Sequence, residues 1–168
     1  MEAVDKAVPA LAVVKREVLG PEWRTDAPVL CVAGRSPLDQ AAAAMVAQLL
    51  GKQGPGARVE GADAVATMNI PRLETSGVAL VCLSYLDASS VAHMRYTIRR
   101  LRRRLPAGQV LLACWKADVD PATLRDSTQA DAVVTTLPEA ARFYLEAARN
   151  SSFQADAQEP SPASATAA

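Results

Sequence analysis

Histidine occurs once in these 168 residues, at His93, and cysteine three times. That leaves little from which to build a Ser, His and Asp set or an imidazole metal site, and no C-x-x-C spacing exists. Cys31, Cys82 and Cys114 each fall inside an apolar run, where a thiol behaves as a small hydrophobe; if those runs are neighbouring strands, the thiols could approach one another. Net charge is also lacking, with 18 basic against 18 acidic residues, so the overall balance points to no polyanion. No stretch reaches the ~18 to 20 apolar residues needed to cross a bilayer. The start, MEAVDKAVPALAVVKREVLG, has acids early and neither a basic n-region nor a small-residue cleavage site. The expectation is a soluble, cytoplasmic protein, and the length predicts one domain with a core that needs no metal or disulfide.

Short apolar runs do recur, and they alternate with helical patterns. Pro9 to Leu19 reads as an amphipathic helix with Leu11, Val14 and Val18 on one face, stopped by Gly20 and Pro21, and Glu22 to Pro28 reads as a linker. Then come a strand Val29–Ala33, a helix to Leu50, a strand Ala57–Glu60 and weak helical segments near Asp63–Met68 and Pro71–Glu74. A strand Val78–Ser84, a helix Ser90–Leu105, a strand Gln109–Cys114, a helical turn Pro121–Asp126, a strand Ala132–Thr135 and a helix Pro138–Asn150 complete the series. VLCVA, VALVCLS and VLLAC are continuously apolar, as parallel strands covered on both faces must be. The fold class expected is α/β: a Rossmann-like or flavodoxin-like three-layer sandwich with a five-stranded parallel sheet in the order 2-1-3-4-5. It should occupy residues 28–150, preceded by the helix and linker of 1–27. Residues 151–168, SSFQADAQEPSPASATAA, are too poor in large apolar side chains to offset their ordering entropy and read as a disordered tail.

Open parallel sheets bind ligands at the carboxyl ends of their strands, where strand order reverses. Here that point lies between the first and third strands, and it brings up Arg35, Ser36, Ser84 and Tyr85, with Trp115 from the fourth. Ser36 suits an N-cap, Pro37 the first helical position and Asp39 the acid of a capping box, while Gly34 permits a tight turn. The same Pro37 and Asp39 disfavour an anion, and the glycine-rich pattern of phosphate-binding loops is missing. The turn is therefore expected to be structural, with a small-molecule crevice as the competing reading.

GRSPLDQ after the first strand, SGVALVCLSYL from Ser76 to Leu86, an Arg-rich helix and GQVLLACW from Gly108 to Trp115 together resemble the cobalamin-binding-like fold in a diverged form, from Pro28 to Ala148. Cobalamin binders of that fold carry Asp-x-His-x-x-Gly, in which the His ligates cobalt. Those places fall on Arg35, Pro37 and Gln40, so the resemblance implies no cobalt ligation and no cobalamin. Ser84 and Leu86 do keep the fold's Ser-x-Leu, whereas its later Gly-Gly is replaced around Ala113, Cys114 and Trp115. SGVALVCLSYL and IRRLRRRLP also resemble the soluble C-terminal domain of bacterial autoinducer-2 exporter family transporters. That resemblance implies a non-enzymatic accessory or regulatory domain of a membrane permease, detached from its spans and held at the inner face of the cell membrane.

In the Arg-rich helix Met94, Ile98, Leu101 and Leu105 form a core stripe, and Arg95, Arg99, Arg100, Arg102, Arg103 and Arg104 cover the rest. These arginines read either as a solvated face matched to the helix dipole or as a strip for anionic lipid or an acidic partner. Nucleic acid is not expected, because no reader motif is present. His93 falls on the solvent side of that helix. Asp118 and Asp120 read as a capped turn or a cation site. Two further functions stay open: a small-molecule sensor using Arg35, Ser36, Ser84, Tyr85 and Trp115, and a degenerate hydrolase or transferase. No catalytic residue, metal or cofactor is assigned.

Overall fold

The computed structural model describes residues 19–116 and 118–157. Five strands, β1 (Val29–Ala33), β2 (Ala57–Glu60), β3 (Leu80–Tyr85), β4 (Gln109–Cys114) and β5 (Ala132–Val134), form one parallel sheet in the order β2-β1-β3-β4-β5. Every residue of β1 and β3 is buried, which is why VLCVA and LVCLSY carry no polar alternation.

Helices α1 (Pro37–Gly51) and α4 (Leu137–Ala157) cover one face, and α2 (Val91–Arg104) and α3 (Pro121–Thr128) cover the other. Side chains alternate between the two cores: Val29, Cys31 and Ala33 meet α1 and α4, while Leu30 and Val32 meet the α2 side. Each such Leu or Val contributes about 1.5–3 kcal/mol through burial. The stripe Met94, Ile98, Leu101 and Leu105 is buried as its spacing predicts.

Several expectations meet a different structure. The two weak helical segments are 3-10 turns, Ala62–Val65 and Ile70–Arg72, anchored by buried Val65, Ile70 and Leu73. Overlapping the start of the expected linker, Pro21–Trp23 forms another 3-10 turn, and Trp23 packs edge-on against Tyr144 with ring centroids 5.7 Å apart. Helix α4 continues seven residues beyond Asn150, through Ala157: no helix breaker intervenes, and buried Ser151 lies against Gly20. That stretch is therefore helical where a disordered tail was expected; residues 158–168 lie outside the described residues. So does the expected helix Pro9–Leu19, apart from Leu19, which is buried.

Of the three cysteines, Cys31 and Cys82 are register partners on neighbouring strands, and the Cys82 thiol together with burial raises the Cys31 pKa well above its usual value. Cys114 points to the opposite core, so the three thiols do not converge.

Candidate functional site

The carboxyl edge of β1 and β3 is closed by backbone and one side chain. The Gly34 N–H donates to the Ser84 carbonyl at 2.8 Å, carrying the β1–β3 ladder one residue into the turn. Trp115 and Lys116 do the same across β3 and β4, donating to Tyr85 and Leu86. Gly34 has an ordinary negative φ; it is glycine because a Cβ there would strike the Tyr85 ring and come within 2.9 Å of the Ser84 carbonyl. The residue serves close approach, not a tight turn.

Ser36 and Asp39 form the expected capping box, with the Asp39 N–H donating to Ser36 Oγ at 3.1 Å. Asp39 does more than cap. Its Oδ2 accepts from the N–H groups of Arg35 and Ser36 at 2.8 and 2.9 Å, and its Oδ1 accepts from the N–H of Leu86, in the β3–α2 loop, at 2.7 Å. The side chain is 5% exposed. Three amide donors therefore converge at the switch point of the sheet, the arrangement that holds anions in other α/β proteins, and the anion they hold is the protein's own carboxylate. Sequence reading found the capping box but missed the bond to Leu86, because a contact across 47 residues leaves no local signal.

Arg35 is exposed and Ser36 half-buried, and both line an open cavity of about 630 Å³ on the β1–β2 side, with Gln40, Glu60, Asp63 and Arg72. Ser84, Tyr85 and Trp115 lie away from it. Ser84 Oγ and Trp115 Nε1 are buried with no hydrogen-bond partner among the described residues, on the face shared with α1 and α4. Tyr85 lies on the other face, so the five residues do not surround one space. A second cavity, about 700 Å³, opens at the amino ends of the strands beside Trp23, Arg104 and Gln109.

His93 is half-buried, a correction to its expected solvation: its Nδ1 lies 3.2 Å from the Tyr85 hydroxyl, and the rings meet edge-on. Burial and then the Arg35 charge lower its pKa, while burial pushes the Tyr85 phenol up to about 12. This is the reverse of an activated nucleophile, which needs a depressed pKa or a competent base. Asp120 accepts from the Thr123 N–H at 3.2 Å and caps α3. Asp118 is exposed, and among the described residues no group of three His, Cys, Asp or Glu could hold a metal.

The six arginines divide into two sets. Arg100 donates to the Val65 carbonyl and Thr67 Oγ1, Arg102 to the Gln129 carbonyl while pairing with Asp131 at 3.2 Å, and Arg104 to the Leu73 carbonyl. These three staple α2 to its surroundings. Arg95, Arg99 and Arg103 are exposed, at i, i+4 and i+8, and make no hydrogen bond or ion pair with the described residues. Of the six, only this second set, spaced along one face of the helix, is without a bond to the described residues.

No family model and no curated protein matches the chain. Among solved structures it is similar to a cobalamin-binding protein from Desulfitobacterium hafniense DCB-2, with a TM-score of 0.58 at 14% identity, over 72% of this chain and 58% of that one. The likeness shows a cobalamin-binding-like, Rossmann-like α/β fold. The chain spans a little over half the length of that structure.

The residues at the switch point do not fit cobalamin. Pro37 has no lone pair to offer a metal, Asp39 already engages the converging amides, and the Tyr85 ring abuts Gly34. Among the described residues no helix is long and apolar enough to cross a membrane.

Proposed function

We propose that this chain is a non-enzymatic accessory or regulatory domain, related to the soluble domain of autoinducer-2 exporter family permeases. It binds no cobalamin and presents Arg95, Arg99 and Arg103 to the anionic inner face of the membrane. The observation that carries the reading is the Asp39 carboxylate bonded to three backbone amides, which takes up the amide donors that converge at the switch point of the sheet. The division of the arginines supports the second half, because three guanidiniums make no bond to the described residues while their neighbours are tied down.

Each free guanidinium near an anionic leaflet contributes about 1 kcal/mol. Replacing all three by glutamine should therefore weaken binding to vesicles containing phosphatidylserine by about 100-fold. Binding of the wild type should fall steeply with salt. Equal binding to neutral and anionic vesicles, or none to either, would overturn this part of the proposal.

One observation favours a second reading, a small-molecule sensor: Ser84 Oγ and Trp115 Nε1 are donors buried without acceptors among the described residues on one face of the sheet. Buried polar groups are ordinarily satisfied by protein, water or ligand. A ligand bridging the two should quench Trp115 fluorescence in the wild type and not in Ser84→Ala.

A further inference from the structure

Helix α1 carries two apolar stripes, and the fold uses one. Asp39, Ala43, Val46, Ala47 and Leu50 face the core and are buried. A second set, Leu38, Ala41, Ala42 and Met45, recurs at i, i+3, i+4 and i+7, the spacing of another face, and it runs into Leu49, which is half-buried against the core. Leu38 is 66% and Met45 60% exposed, and both rank among the chain's exposed large hydrophobics. The remaining exposed positions of the helix are Pro37, Gln40, Gln48 and Gly51, with Ala44 half-buried, so its solvent side bears no charge at all. The contrast with α2, whose outer face is a row of arginines, is complete. A helix that meets only water normally carries charge there.

We infer that the Leu38–Met45 face of α1 is the contact surface for a second copy of this chain, packed as an antiparallel α1–α1 pair about a two-fold axis. Two features of the surface select this occupant. An uncharged face offers nothing to a charged partner, and another uncharged face is its complement. The order large, small, small, large, from Leu38 through Ala41 and Ala42 to Met45, also reads the same in both directions. A two-fold axis midway between Ala41 and Ala42 sets Leu38 of one copy on Met45 of the other and lets the alanines bring the backbones close. The area sets the strength. A 15-residue helix is about 22 Å long, so the contact falls short of the ~800 Å² per partner of a stable interface, and the dimer should be reversible, with micromolar or weaker affinity.

Sedimentation equilibrium of the full chain between about 1 and 200 µM should show monomer passing to dimer, and Leu38→Glu/Met45→Glu should remain monomeric with an unchanged circular dichroism spectrum. As a second measurement, Leu38→Cys/Met45→Cys should form intermolecular disulfides on mild oxidation, whereas Met45→Cys alone should not, since the native cysteines are buried. A wild type monomeric throughout, or a dimer that survives the double glutamate variant, would overturn the inference. So would a monomer that binds neutral vesicles through Met45, which would assign the face to lipid.

Discussion

Replacing Asp39 by alanine removes one side chain and strands three backbone donors, those of Arg35, Ser36 and Leu86. Hydrogen bonds to a charged acceptor contribute about 1.5–3 kcal/mol each, and leaving the partner unsatisfied costs a similar amount. The donors sit at the edge of the sheet, where water recovers part of the loss, so the total should come to about 3–5 kcal/mol. That is a large share of the ~5–15 kcal/mol by which domains are stable. Urea unfolding followed by Trp23 and Trp115 fluorescence measures it directly. The variant also carries a sharper signature. With the carboxylate gone, the converging amides become a vacant anion site, and phosphate should restore stability in proportion to ln(1 + [L]/Kd). Sulfate and phosphate stabilise most proteins by exclusion, so the difference between variant and wild type is what counts. A cost below about 1 kcal/mol, or equal stabilisation of both proteins by phosphate, would refute the idea that Asp39 fills an anion cradle.

Ser36→Ala should cost about 0.5–2 kcal/mol through the lost cap, while Arg35→Ala should stay within about ±0.5, because its exposed side chain has no buried partner; both are read from urea melts. Gly34→Ala should cost about 1–3 kcal/mol by driving a methyl into Tyr85, and a double-mutant cycle with Tyr85→Val should show strong coupling. The lowered pKa of His93 means that the unfolded chain binds the proton more readily. Stability should hold above about pH 6.5 and fall as pH drops through the folded-state value, a slope that His93→Gln should flatten in acid titrations monitored by circular dichroism.

The architecture was legible because it depends on local signals. Three continuously apolar runs announce buried parallel strands, and Ser36, Pro37 and Asp39 announce a helix start to within a residue. The site was less legible, because its decisive contacts are distant in sequence. Nothing near Asp39 tells of Leu86, and the spacing of the arginines cannot say that Arg100, Arg102 and Arg104 reach carbonyls of Val65, Gln129 and Leu73. His93 was misplaced for a related reason. It flanks the Met94 stripe at an angle where exposure depends on the neighbouring element, and Tyr85 projects from β3 to meet it. The extension of α4 past Asn150 rests on Ser151 lying against Gly20, again a contact without a local trace.

The claim that this fold has lost its ligand crevice is tested most directly by equilibrium dialysis of the full chain against hydroxocobalamin, with the visible spectrum recorded on both sides of the membrane. The account predicts no retained cobalamin at micromolar concentrations and no spectral change. Stoichiometric retention would contradict it, and a shift marking nitrogen coordination to cobalt would do so most severely, since Pro37 offers no lone pair and the one histidine contacts Tyr85.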